Sequence, residues 1–208
     1  MPRFHITPVV LNLIIINALV FVALNLYLED IFEWFFLFKS NLFISRPYGD
    51  EGFRPVQIVS SMFSHVQVWH LLVNMFALFN FGPRLEMIMG PRRFLLAYLV
   101  IGVASSAITG FLDPSHAPVV GASGVLFGMT VLFASYFPQT RLGLMFLPIY
   151  FPIRGFLIGA AVLSAGLVVA EQVTGNSMGG ISHFGHLSGM VVGFAYLHID
   201  KLRKIGKR

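Results

Sequence analysis

The sequence predicts an all-α, polytopic membrane protein in which six helices cross the bilayer. Apolar residues make up 56% of the 208 residues and charged residues 11%, against roughly 45 to 50% and 25% in soluble domains. With 22 phenylalanines and a mean hydropathy of +0.79, the chain has more apolar surface than one soluble core of this size can bury. The lipid bilayer must therefore solvate much of its surface.

The apolar residues form six segments, each near the length of a transmembrane helix. About 20 apolar residues in helical form cross the ~30 Å hydrocarbon layer, and a helix satisfies its backbone polar groups without water. The connections are short and contain turn residues, such as the Gly-Pro pair at 90–91. We therefore expect one membrane domain over residues 1–208, with spans at approximately 8–27, 66–88, 94–112, 119–136, 155–171 and 180–198.

The stretch from Leu28 to His65 is longer than the other connections. Trp34 and the phenylalanines between positions 32 and 38 predict a partly embedded interfacial element there. The N-terminus has one early arginine and no small-residue cleavage site before the first apolar stretch. This pattern predicts a retained anchor and not a signal peptide.

The basic residues predict the orientation of the chain. Placing both termini in the cytoplasm puts 11 of the 14 Lys and Arg residues inside and seven of the nine acidic residues outside, and the Lys/Arg bias sets orientation. These basic residues flank apolar runs and form no stripe with aromatics, so nucleic acid is not expected as a partner. The absence of cysteine excludes disulfides, thiolate nucleophiles and cysteine-ligated zinc.

Polar residues of three spans are expected at one depth in the membrane. In this orientation the second, fourth and sixth spans start at the outer face and run parallel. His70 and Asn74 share a face of the second span because they are four residues apart. Ser123 lies near the start of the fourth span and His186 near the start of the sixth. A lone serine is more often a packing residue, but the convergence of these groups points to a cavity with chemistry.

A serine hydroxyl becomes a nucleophile when an adjacent base, usually a neutral imidazole, takes its proton. Ser123 and His186 can meet only if their helices come close together. Glycines spaced four apart on both helices permit such an approach, although each taken singly could be an ordinary packing groove. The predicted helix-packing glycines are Gly121, Gly124, Gly128, Gly185, Gly189 and Gly193.

These motifs resemble those of rhomboid intramembrane serine proteases, in particular the bacterial six-transmembrane form. Gly121-Ala122-Ser123-Gly124 is similar to the family's GxSG motif, and His186-Leu187-Ser188-Gly189 with Gly193 resembles its sixth-helix motif. His65, His70 and Asn74 match the family's HxxxxHxxxN pattern. Gly82 and Glu86 resemble the polar end of the second helix in the same family.

The resemblance implies the roles of the site residues. Ser123 is the expected nucleophile and His186 the general base and acid, with no metal and no cofactor. His70, Asn74 and the Ser123 backbone N–H are expected to form the oxyanion hole. The implied substrates are transmembrane protein segments, which reach the site laterally and are cut near the outer face. A bacterial inner membrane is the expected location, and the glycine-rich stretch 175–180 is expected to be a mobile cap.

Some positions depart from the family pattern. Val56 and Gln57 occupy the places of a Trp-Arg pair, and Phe127 replaces a tyrosine expected to stack on the catalytic histidine. Asp113 and Glu171 are expected at loop edges, so a Ser-His dyad without a third, carboxylate member is the simpler prediction. His183 is expected to contact a loop or water.

Three alternatives remain open at this stage. One is a catalytically inactive rhomboid-like protein that binds membrane clients, although the serine and histidine are intact. A second is a haem or metal protein ligated by His70 and His186, but the chain has no HExxH motif. A third is a transporter, for which we find no inverted repeat.

Overall fold

The computed structural model describes residues 5–26, 35, 53–113, 119–143, 150–176 and 181–205. Within these residues the chain is mainly helical, which confirms the all-α class. The helices are α1 (Pro8–Leu26), α2 (Gln57–Ser60), α3 (Val68–Met89), α4 (Pro91–Leu112), α5 (Ser123–Tyr136), α6 (Ile153–Thr174) and α7 (His183–Ile205), with a 3-10 turn at Ser61–Phe63. Two short strands that the sequence analysis did not predict, β1 (Arg141–Gly143) and β2 (Tyr150–Pro152), pair antiparallel ahead of α6.

Each predicted span overlaps a helix, but not every helix is long and apolar enough to cross a membrane. Among the described residues, α1, α4 and α6 are long and apolar enough. The segment from α2 through the 3-10 turn, taken together with α3, is a fourth candidate, bent by 89°. Helix α5 has 14 residues and is therefore about 21 Å long at 1.5 Å per residue. Helix α7 carries two histidines in its first turn and an acidic and several basic residues near its end.

Two predictions fall mainly outside the described residues. The interfacial element predicted between 28 and 65 is described only at residue 35 and from residue 53 onward. The glycine-rich cap predicted at 175–180 is described only at residues 175 and 176.

Helix α5 lies at the centre of the bundle. It packs against α3, α4, α6 and α7, and most of its side chains are buried, including Val125, Met129, Leu132 and Phe133. A helix surrounded by other helices needs apolar residues on every side, which accounts for the uniformly apolar sequence of α5. Its first residue, Ser123, is partly buried.

Helices α5 and α7 approach so closely that their glycine backbones touch. A Cβ on Gly128 would lie 2.6 Å from the carbonyl oxygen of Gly189, and one on Gly193 would lie 2.5 Å from the carbonyl oxygen of Gly128. One on Gly124 would lie 3.2 Å from the carbonyl oxygen of Gly185. Small residues at such a crossing let two backbones meet in a membrane protein. A larger side chain at these positions would push the two helices apart.

Glu86 anchors α1 to the end of α3. Its buried carboxylate accepts hydrogen bonds from the Thr7 hydroxyl and from the backbone N–H groups of Val9 (3.2 Å) and Val10 (3.0 Å). The first N–H groups of a helix lack intrahelical partners, and a negative charge is favourable there. Gly82 completes this contact, because a Cβ at that position would lie 2.6 Å from the side chain of Val10.

Candidate active site

Ser123 and His186 meet where α5 and α7 begin. Ser123 is the first residue of α5, and His186 lies in the first turn of α7. The Nε2 atom of His186 is 3.0 Å from Oγ of Ser123, which is hydrogen-bond distance. Because a neutral imidazole nitrogen can accept the hydroxyl proton, the pair has the geometry of a nucleophile with its base.

The ring of Phe127 packs on the imidazole of His186. Their centroids are 4.3 Å apart and their planes are tilted by 38°. Phe127 follows Ser123 by one helical turn, so both side chains lie on the same face of α5. The phenylalanine therefore supplies the ring contact on the histidine without the hydroxyl of a tyrosine.

His70 and Asn74 of α3 converge on Gly121, two residues before Ser123. A Cβ on Gly121 would lie 2.9 Å from Nε2 of His70 and 3.7 Å from Nδ2 of Asn74. Gly121 has a φ of +110°, a conformation that glycine adopts most readily. The sequence predicts a helix-packing role for Gly121, but the residue precedes α5 and faces these two polar side chains. This turn also explains why α5 begins at residue 123 and not at 119 as predicted.

Nε2 of His70 is buried and has no hydrogen-bond partner among the described residues. A buried polar atom without a partner costs free energy, and such atoms in native proteins call for an explanation. A ligand oxygen beside Gly121 would supply the missing partner.

His65 connects the elements around Gly121. Its Nε2 atom is 2.9 Å from Nδ2 of Asn74 and accepts from the backbone N–H of Ala122 at 3.5 Å. Its ring meets that of His70 edge to face, with centroids 5.1 Å apart. His65 lies between the 3-10 turn and α3 and is fully buried. Its Nε2 atom acts as a hydrogen-bond acceptor for the Ala122 N–H.

The backbone ahead of α5 leaves the Ser123 N–H for a ligand. The N–H of Gly121 donates to the carbonyl oxygen of Ser61 at 2.9 Å, and the N–H of Ala122 faces His65. The N–H of Ser123 is at the start of α5, where no intrahelical acceptor exists and the helix dipole favours negative charge.

The carboxylates lie closer to this site than the sequence analysis expected. Oε1 of Glu171, on α6, is 3.9 Å from Nε2 of His183, and both residues are buried. The ring of His183 meets that of His186 edge to face, with centroids 5.8 Å apart. Asp113 is also buried and accepts from the Ser182 hydroxyl at 3.5 Å. His183 therefore has two protein neighbours, Glu171 and His186.

A cavity of about 630 Å³ separates part of α6 from the rest of the bundle and reaches His186. Helix α6 buries few residues, namely Ile153, Ser164 and Glu171. The cavity is lined mainly by apolar side chains and by small residues of α6, including Phe127, Phe156, Gly159, Ala160, Leu163 and Ser164. Among the described residues there is no group of three or more His, Asp or Glu side chains that could hold a metal ion.

Residues 53–202 match the model of the rhomboid domain. The chain belongs to the rhomboid family. The matched region of this rhomboid protein contains Ser123, His186, His70 and Asn74.

The rhomboid chain is similar to several curated proteins. It is 32% identical to "Rhomboid protein 1, mitochondrial" of Saccharomyces cerevisiae over 68% of its own length and 40% of the yeast protein. It is 31% identical to "Presenilin-associated rhomboid-like protein A, mitochondrial" of Danio rerio over 77% of its length and 41% of that protein. "RHOMBOID-like protein 12, mitochondrial" of Arabidopsis thaliana is 29% identical over 94% of the chain and 59% of the plant protein. The chain thus spans about two fifths of the first two relatives.

The mitochondrial names of these relatives overturn the prediction of a bacterial inner membrane. The predicted integration into a membrane is consistent with the comparisons. The predicted bacterial location is not. Hydropathy reports the thickness and polarity of the surrounding lipid, and these properties are similar in many membranes. The sequence therefore predicted a membrane protein without a basis for choosing the membrane.

Proposed function

We propose that this rhomboid protein is an intramembrane serine endopeptidase that uses a Ser123–His186 dyad. The observation that carries the proposal is the 3.0 Å contact between Nε2 of His186 and Oγ of Ser123, which is partly buried at the start of α5. Two side chains of α3 lie beside the turn at Gly121: His70, whose Nε2 atom has no hydrogen-bond partner among the described residues, and Asn74. A nucleophile, a base and candidate oxyanion donors within one site favour acyl transfer.

In this mechanism Oγ of Ser123 attacks the carbonyl carbon of the scissile peptide bond while Nε2 of His186 takes the hydroxyl proton. Nε2 of His70, Nδ2 of Asn74 and the N–H of Ser123 donate hydrogen bonds to the oxyanion. His186 then returns its proton to the leaving amine, and an acyl-enzyme remains on Ser123. His186 next takes a proton from a water molecule that attacks the acyl carbon, and it returns that proton to Oγ of Ser123 as the new carboxyl terminus leaves.

We infer that the substrate is a transmembrane segment of another protein that reaches the site from the side. The 630 Å³ cavity supports this route, because it reaches His186 and is lined mainly by apolar residues. Helix α6 is weakly buried, so its displacement disrupts few contacts. The substrate helix must unwind locally at the site, since its own turns shield a helical peptide bond.

For the topology we propose six spans, with both termini on one side of the membrane and the site near the opposite face. The asymmetry of Lys and Arg supports this arrangement. The names of the relatives point to a mitochondrial membrane, which fractionation of the source cells would check.

The test is cleavage by the purified chain in lipid vesicles, using a panel of single-span substrates and reading product masses. Ser123→Ala and His186→Ala should each abolish cleavage, because nucleophile and base act as one unit. Ser188→Ala and His198→Ala are matched controls on α7. The Ser188 hydroxyl bonds to the Phe184 carbonyl, and His198 is exposed, so both should retain activity. Binding of the substrates without cleavage would favour the client-binding alternative and refute the protease.

A further inference from the structure

His65 lies against two of the groups that would surround the oxyanion, Asn74 and His70, and against the turn before Ser123. It is fully buried, and its Nε2 atom faces Nδ2 of Asn74 at 2.9 Å and the Ala122 N–H at 3.5 Å. Its ring packs edge to face on His70. The dyad mechanism gives His65 no step, although it is in contact with Asn74 and with the turn before Ser123.

The contact of Nε2 with the backbone N–H of Ala122 favours one tautomer of His65, in which the proton lies on Nδ1, a buried atom without a hydrogen-bond partner among the described residues. A backbone N–H can only donate, so Nε2 must present its lone pair to Ala122. In a neutral imidazole the proton then lies on Nδ1. The partner of Nε2 on Asn74 must in turn be a donor, which identifies it as the amide nitrogen and not the oxygen. His65 thereby fixes which way the Asn74 amide is turned.

The orientation of the Asn74 amide determines whether its nitrogen or its oxygen faces the active site. Its NH2 group has two hydrogens, and one of them is donated to His65. The second remains available on an atom 3.7 Å from the position that a Gly121 Cβ would take. If the amide were flipped, its carbonyl oxygen would occupy that place and would repel an oxyanion.

We propose that His65 is a positioning residue, which holds the Asn74 amide so that its nitrogen faces the oxyanion. The proposal rests on the proposed protease function. His65 does not touch the reacting atoms and acts through Asn74. Preorganised donors are effective because they need no reorganisation when charge develops, and a freely rotating amide would lose that advantage.

The first test measures the tautomer in the wild-type chain and needs no variant. With histidine and asparagine side chains labelled with ¹⁵N, NMR should show Nε2 of His65 unprotonated and coupled across a hydrogen bond to Nδ2 of Asn74. The imidazole should keep this form throughout the neutral pH range. A proton on Nε2 would overturn the proposal, because the amide would then have to present its oxygen to His65.

The second test separates positioning from structural support. His65→Gln places an acceptor oxygen near the position of Nε2, whereas His65→Asn places its polar atoms near Nδ1. We expect His65→Asn to lower kcat by about 10- to 100-fold, as removal of the Asn74 donor would, with KM unchanged. His65→Gln should stay within about threefold of wild type, scaled from the same donor effect.

A double-mutant cycle that combines His65→Asn with Asn74→Ala tests whether His65 acts through Asn74. Because His65 acts through Asn74, His65→Asn should cost no more than about twofold in kcat when Asn74 is already alanine. Losses that multiply, or a lower Tm with unchanged kcat, would overturn the proposal in favour of a structural role. If the wild-type chain neither cleaves substrates nor reacts with phosphonates, the protease function fails instead, and the NMR experiment still decides the His65–Asn74 contact.

Discussion

Gly121→Ala should disable the enzyme through a displacement that can be estimated from the structure. A Cβ at this position would lie 2.6 Å from Cε1 and 2.9 Å from Nε2 of His70. Ordinary contact begins at about 3.4 Å, so the imidazole must move by about 0.8 Å. The positive φ of +110° adds backbone strain of about 1 to 3 kcal/mol for a residue with a side chain.

The displacement of the His70 imidazole should lower turnover strongly. In free energy, this loss should exceed what the backbone strain at residue 121 takes from the stability of the fold. A misplacement of about 1 Å lowers rates by about 100-fold, and loss of one oxyanion donor costs about 100- to 1000-fold. We therefore expect kcat to fall by about 100-fold, while the folded protein persists with a lower Tm. The assay is initial-rate cleavage of a single-span substrate in vesicles, with Tm measured on the same preparation.

Gly90→Ala is the matched control for this prediction. Gly90 also has a positive φ, of +79°, but nothing among the described residues lies within 4 Å of the position that its Cβ would take. It should lower Tm through the same kind of strain and leave turnover near wild type. If Gly121→Ala retains more than about a third of wild-type turnover, against the ~100-fold loss expected, the assignment of this turn to the oxyanion site is refuted.

Further predictions concern the remaining parts of the site and fold. Asn74→Ala should lower kcat by about 10- to 100-fold with Tm nearly unchanged, whereas lost stability with normal turnover would indicate a helix-packing role. Glu86→Gln should lower the free energy of unfolding by about 1.5 to 3 kcal/mol, because its charged hydrogen bonds to the start of α1 are weakened, and folded protein should remain active. Gly189→Ala should separate α5 from α7 and reduce both stability and turnover, while Gly166→Ala, with open space around it, should change neither. A cysteine placed at Asn176 in this cysteine-free chain should react only from the side opposite the termini, and labelling from the same side as the termini would reject the topology.

The sequence predicted the helices well because hydrophobic length is a local signal. The predicted spans and the helices agree to within a few residues at most ends. The end of α7 differs most, at residue 205 against 198, followed by the start of α5, at 123 against 119. The later start of α5 has a physical cause. The turn at Gly121 stops the helix short of residue 119, and its φ depends on contacts with α3 that a local pattern does not contain.

The proximity of Ser123 and His186 could be anticipated from the glycines on both helices. Close packing of two glycine faces leaves few relative positions for the side chains beside them. The neighbours of the dyad were less predictable. Glu171 and His183 belong to different helices, and their separation of 3.9 Å follows from how α6 packs against α7. The role that we propose for His65 could not be predicted from the sequence either, because it depends on the orientation of the Asn74 amide.

Covalent labelling tests the central claim most directly. The wild-type chain in lipid vesicles is treated with a serine-reactive phosphonate, and the adduct is located by mass spectrometry of its peptides. We expect one adduct, on Ser123, which is lost in Ser123→Ala and greatly slowed in His186→Ala but preserved in His198→Ala. An adduct on another serine, or undiminished labelling of Ser123 without His186, would contradict the dyad.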